Sequence, residues 1–217
     1  MEKSNPIQFE TAQLTEEQLM RIDIYGLLAT LLRSAPSQEL LEWLQQIEVP
    51  AVNDLPPTQD GNIEMAWSQL KEASAKVSTA QIEEEYQDLF IGIGRGEVLP
   101  FLSWYLSGTL MEKPLVQLRQ NLKEFGFSRQ NNVFEPEDHM AALLEVMAML
   151  IQTNDTEKQC HFFEQHILPW YQKFSFDVKQ AKSSYYYTHV AELLTQFLHL
   201  EKGLLLPLKV DVKVVQQ

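Results

Sequence analysis

The sequence predicts an all-α protein, a helical bundle of about ten helices in two halves joined by a hinge. Three observations carry this. Apolar residues recur at helical spacing from Thr15 to Lys202. Ser/Thr caps, prolines and glycines punctuate that stretch as helix starts and stops. Strand-type alternation is confined to Lys209–Val215, where valines alternate with polar residues, which reads as an extended tail. The N-terminal half is residues 1–126, the hinge 127–134, and the C-terminal half 135–217 including that tail.

Taken in order, Thr15-Glu16-Glu17-Gln18 is a capping box opening a helix with Leu19, Ile22, Leu27, Leu28, Leu31 and Leu32 on a broad apolar face. That helix runs to about Arg33, with Pro36 beyond it. Ser37 caps a short second helix carrying Leu40, Leu41, Leu44 and Ile47, and the proline-rich stretch 49–62 is a loop. Asn62 starts a third helix and Thr79 a fourth, the latter with Ile82, Tyr86, Leu89 and Phe90. Gly92-Ile93-Gly94-Arg95-Gly96 breaks helicity as a flexible turn, and Pro100 to Gly108 reads as aromatic and irregular.

Pro114 sits in the first turn of the next helix and Gly126 closes it. The apolar run from Met140 to Ile151 follows Glu135-Pro136-Glu137-Asp138-His139, which places a proline at the first helical position, acids in the first turn and a histidine one turn in. That helix ends at Asn154-Asp155. Another begins with Phe162, Phe163, His166 and Ile167 before Pro169 kinks or restarts it. The last spans about Ser184 to Lys202 and is stopped by Gly203.

With 217 residues, 45% hydrophobic, the chain can bury a sizeable core. Its net charge of −13 repels phosphates and anionic headgroups and attracts basic segments, which argues against nucleic acid as a ligand. A single cysteine, Cys160, excludes an intrachain disulfide and reads as a small structural hydrophobe. No apolar stretch reaches membrane-spanning length and the N-terminus lacks a leader pattern, so a soluble, cytoplasmic protein is expected.

Signatures of catalysis are sparse. Gly92-x-Gly94-x-Gly96 lacks the lysine and Ser/Thr of a phosphate loop and the spacing of a dinucleotide fold. His161 and His166 are not spaced as a metal pair, and no serine has a nucleophile-elbow context.

Three clusters stand out. The first joins Tyr86-x-x-Leu89-Phe90 to Gly96-x-x-x-Pro100-x-x-Ser103-Trp104-Tyr105; Phe90 and Phe101 suit a core, whereas Trp104 and Tyr105, read as loop residues with polar tips, suit a binding surface. The second is Glu135 to His139, either a helix cap with a buried histidine or an acidic wall that accepts hydrogen bonds from a cationic ligand. In the third, Phe163-x-x-His166-x-x-Pro169-Trp170-x-x-x-Phe174, the phenylalanines suit the core and Trp170 an apolar shelf.

In that order these motifs resemble the TorD/DmsD family of cytoplasmic chaperones for molybdoenzymes, over roughly residues 19 to 200. The resemblance implies an all-helical protein that binds the twin-arginine signal peptide and the apo form of a molybdopterin-dependent oxidoreductase, assists cofactor insertion and delays export. It implies no cofactor of its own, although some members bind guanine nucleotides weakly and some exchange halves to form dimers. The peptide-contacting positions it implies are Trp104, Tyr105, Pro136, Asp138, His139 and Trp170. A signal peptide with two arginines beside an apolar stretch calls for carboxylates next to exposed aromatics, and this chain offers both. Two rival readings stay open: a helical nucleotide-dependent hydrolase using Asp138 and His139 as an acid–base pair, and a subunit that stays in the mature complex.

Overall fold

The computed structural model of the chain describes residues 14–48, 63–128 and 136–206. Within them lie ten α-helices: α1 (Glu16–Arg33), α2 (Gln38–Gln46), α3 (Ile63–Lys76), α4 (Thr79–Tyr86), α5 (Leu102–Ser107), α6 (Lys113–Glu124), α7 (Met140–Gln152), α8 (Thr156–His166), α9 (Tyr171–Gln180) and α10 (Tyr186–Leu205). The all-α expectation holds, with no strand among the described residues. The hinge positions 129–134, Glu135 of the second cluster, the loop 49–62 and the tail 207–217 lie outside the described residues.

Local sequence explains most helix starts. Thr15 and Gln18 form the capping box of α1, with Thr15 Oγ1 accepting from the Gln18 amide at 3.2 Å and Gln18 Oε1 from the Thr15 amide at 2.9 Å. Ser78 and Gln81 repeat the device at α4, and Ser37 and Asp155 cap α2 and α8. Helix α4 then widens into one π-helical turn, Gln87–Ile91, ended by Gly92 at φ 62°.

Helix α7 is apolar nearly all round, and only Glu145, Met149 and Gln152 are exposed along it. Such a helix needs partners on every side. It receives α1 along its length and α8 at its end, while α10 packs on α3 and α9. The motif Tyr86-x-x-Leu89-Phe90 belongs to this core, with Phe90 meeting both Tyr86 and Tyr187 at ring separations of 5.2 Å.

Two buried carboxylates tie distant helices together. Glu201 takes a bidentate contact from Arg21, at 2.7 and 2.8 Å, and a hydrogen bond from the Tyr25 hydroxyl at 2.9 Å, joining α10 to α1. Glu85 accepts the backbone N–H groups of Tyr185, Tyr186 and Tyr187 at 2.7–2.9 Å and so caps α10 from α4.

The structure corrects three local expectations. Residues 102–107, read as irregular, are helix α5, so Trp104 and Tyr105 stand on a helix. Pro136 is not at a first helical position: Pro136 to His139 form a turn and His139 is the N-cap of α7. Helix α10 continues past Gly203 to Leu205; the cost of a helical glycine, about 1 kcal/mol, is outweighed by burial of Leu205, and Cys160 Sγ donates to its carbonyl at 3.1 Å.

Candidate functional site

The site is assembled where the chain between the π-turn and α5 meets the turn before α7. Gly96 lies against the backbone of Leu89 and Phe90 with no room for a Cβ, so the Gly92–Gly96 loop folds tightly back on the π-turn. Val98 N donates to Leu89 O at 2.8 Å, which fixes the loop and presents Arg95 outward.

Beyond it, Phe101 and His139 form an isolated antiparallel bridge. Its flanks are Met140 N to Pro100 O at 2.8 Å and Leu102 N to Asp138 O at 2.9 Å. The Asp138 side chain completes the junction: Oδ2 accepts the Ser103 amide at 3.0 Å and the Ser103 hydroxyl at 2.5 Å. Asp138 is thus the N-terminal cap of α5, supplied from a turn 35 residues further along. His139 caps α7, its Nδ1 accepting the Ala141 amide at 3.1 Å, which puts the neutral ring's proton on Nε2. The imidazole stands edge-on to Phe101 at 5.2 Å.

Helix α5, held this way, turns Trp104 and Tyr105 toward α9. Tyr105 packs on Trp170 at 5.1 Å and Phe174 at 6.1 Å, and Trp170 is fixed by its indole N–H donating to His166 O at 2.7 Å. A cleft of about 390 Å³ opens over the two partly buried rings, rimmed by Arg95, Glu97, Lys173 and Asp177. The Arg95 guanidinium lies 4.4 Å above Trp104, and Lys173 Nζ lies 5.6 Å from the Tyr105 ring centre. The Tyr105 hydroxyl donates to Asp177 at 3.1 Å, and Asp177 also pairs with Lys173 at 3.1 Å.

The electrostatics follow from burial and partners. Burial, and secondarily the Arg33 charge, pulls His139 down to about 4, so its imidazole is neutral at pH 7. Burial and the neighbouring Asp177 carboxylate push the Tyr105 phenol well up. The Ser183 hydroxyl and the Lys182 amide hold the exposed Glu97 carboxyl below its usual range, so it is an anionic acceptor at neutral pH.

All six positions read from the sequence converge on this junction, but in two layers. Trp104, Tyr105 and Pro136 are partly exposed, while Asp138, His139 and Trp170 are only 1%, 3% and 1% exposed and lie beneath. Trp170 therefore backs Tyr105 and is not an open apolar shelf. The four charged rim residues were not picked out from the sequence. The i, i+4 spacing of Lys173 and Asp177 was a legible sign of a charged helix face, but Arg95 and Glu97 carry no local signal. In chemical terms the cleft offers aromatic faces that already seat cations beside carboxylates that accept hydrogen bonds, which is the surface a cationic peptide side chain needs.

The sequence model of the nitrate reductase delta subunit family matches residues 57–175. The chain is 27% identical to the chaperone protein TorD of Vibrio parahaemolyticus over 208 residues, covering 86% of this chain and 94% of that protein. It is 28% identical to the chaperone protein TorD of Vibrio cholerae over 202 residues, covering 88% and 84%. The fold is shared with the crystal structure of an Archaeoglobus fulgidus protein described as a redox enzyme maturation protein, at a TM-score of 0.53 and 16% identity over 90% of this chain and 99% of that one.

Proposed function

The chain belongs to the nitrate reductase delta subunit family, and on that premise we propose that it is a cytoplasmic maturation chaperone without catalytic activity. It binds the twin-arginine signal peptide and apo form of a molybdopterin-dependent oxidoreductase, assists cofactor insertion and delays export until the client has folded. A chaperone of this kind acts by binding one state of its client better than another, and needs no cofactor of its own.

The observation that carries the reading is the pair of cations seated on Trp104 and Tyr105 beside Glu97 and Asp177. A client arginine fits the same seats, with its planar guanidinium over the indole and its N–H fork on a rim carboxylate. Trp104 and Tyr105 make the contact, and Pro136 lies in the turn before α7. Asp138, His139 and Trp170 position them, through the α5 cap, the bridge to Phe101 and the stack on Tyr105. The hydrolase reading loses its acid–base pair here: the Asp138 and His139 side chains each cap a helix and are almost fully buried, out of reach of a substrate.

Calorimetric titration with a twin-arginine signal peptide tests the assignment. Trp104→Ala is expected to weaken binding by about 1–2 kcal/mol while far-UV circular dichroism stays unchanged, and exchange of both peptide arginines for lysine should weaken it as well. Equal affinity of wild type and Trp104→Ala overturns the site.

A further inference from the structure

A second concave surface is built on α1. Helix α1 runs antiparallel to α7, with Gln18 meeting Asn154 at one end and Arg33 paired with Glu145 toward the other. The N-terminal turns of α1 thus lie beside the last turns of α7, whereas the backbone contact of Met140 with Pro100, next to α5, is made at the first residue of α7, roughly 15–20 Å along that helix at 1.5 Å per residue. There, α1, α2 and α3 enclose a groove of about 530 Å³. It shares no residue with the Trp104 cleft.

The floor is apolar and open: Leu19, Met20 and Trp43 are 49%, 58% and 52% exposed, with Ile24 and Trp67 beneath. Three large apolar side chains left in water on adjoining helices, around one hollow, are a patch and not scattered surface residues. Glu16 and Asp23 stand at the rim, and neither forms an ion pair among the described residues. An apolar trough with unneutralised carboxylates on its edge, in a chain of net charge −13, complements a helix with one apolar face and lysine or arginine on its flanks. A second copy of this acidic chain lacks that complementarity.

We propose that this groove docks a basic amphipathic helix of the client polypeptide, separately from the twin-arginine cleft. The inference rests on the chaperone reading for the source of the helix, and on the groove alone for its chemistry. Docking inserts apolar side chains between Leu19, Met20 and Trp43 and sets basic side chains against Glu16 and Asp23.

Two peptides are titrated into the full chain. The first is a designed leucine–lysine helix of about 14 residues with leucine at i, i+3, i+4 and i+7. The second is a short twin-arginine peptide without its apolar stretch. Met20→Glu and Asp23→Lys both change exposed side chains, and an unaltered melting temperature confirms that each variant folds. Each is expected to weaken the leucine–lysine helix at least tenfold and to leave the twin-arginine peptide within twofold.

Three outcomes overturn the proposal: affinity for the leucine–lysine helix unchanged in both variants, equal binding of a scrambled peptide of the same composition, or a dimer in light scattering that Met20→Glu abolishes. Loss of twin-arginine binding by wild type, with the helix still bound at the groove, removes the cleft assignment and leaves the groove standing.

Discussion

Exchange of Asp138 for asparagine separates a positioning role from a contact role, and the structure sets its size. The carboxylate is 1% exposed and accepts two hydrogen bonds from Ser103, one of only 2.5 Å. A bond to a charged acceptor contributes about 1.5–3 kcal/mol and a neutral one about 0.5–1.5, so losing the charge under two bonds costs roughly 2 kcal/mol. For a chain of 217 residues that is a fall in melting temperature of about 4–8 °C. Differential scanning calorimetry of Asp138→Asn, Ser103→Ala and the double variant measures it. The two changes touch one interaction, so they should be non-additive by about 0.5–3 kcal/mol. Peptide affinity, read well below the transition, should move less than threefold. An unchanged melting temperature together with a tenfold loss of affinity would refute the cap and put Asp138 in direct contact with the client.

Three further outcomes follow from the same geometry. Burial holds His139 and His166 near 4, below the ordinary 6.5, so the folded state favours the neutral rings. Their stabilisation is whole above pH 6.5 and declines as pH falls toward 4, by up to about 1.4 kcal/mol per pH unit for each ring; a His166→Gln variant should show a flatter melting-temperature profile in that window, and an identical slope contradicts the assignment. Glu85→Gln weakens the cap on three amides of α10, so hydrogen exchange at Tyr185, Tyr186 and Tyr187 should accelerate at least tenfold, and unchanged protection counts against it. If the net charge of −13 steers a basic peptide, the association rate measured by stopped flow should fall with ionic strength while dissociation changes less. Salt-independent association means that the charge serves solubility alone.

How much of this was legible depended on whether the stabilising partner was local. Thr15 with Gln18, and Ser37, act within one turn, and the helices they open begin close to where the sequence places them, whereas α8 starts at Thr156 under the Asp155 cap, a full turn and more before the apolar residues at Phe162 that signal it in the sequence. Helix α5 was not legible, because its first amides are capped by Asp138 and none of the residues 99–101 supplies a side-chain cap. The same separation hid Glu85 at the start of α10 and Glu201 beneath Arg21. A buried carboxylate reads in sequence as one more acid among thirty, until folding gives it donors. The candidate site was legible as a set of positions and not as a set of roles, since helical periodicity cannot tell Trp104, on the cleft wall, from Trp170, behind it.

That division bears on how the cleft can discriminate. Arg95 and Lys173 already occupy the ring faces in the free protein. If the cleft binds as proposed, a client arginine gains only the difference between its own contacts and those it displaces, a fraction of the roughly 0.5–2 kcal/mol of one cation–π contact. What it adds beyond Arg95 is a guanidinium fork directed at Glu97 or Asp177, and an apolar chain following behind it. On the proposed reading the cleft rejects isolated cations, which merely exchange with its own, and retains a segment that pairs arginine with apolar surface. Arg95→Ala tests this: affinity for free arginine should rise by several fold, while the ratio between signal peptide and free arginine should fall. A ratio unchanged by the variant would mean that Arg95 is a bystander and that the rings recognise their ligand unopposed.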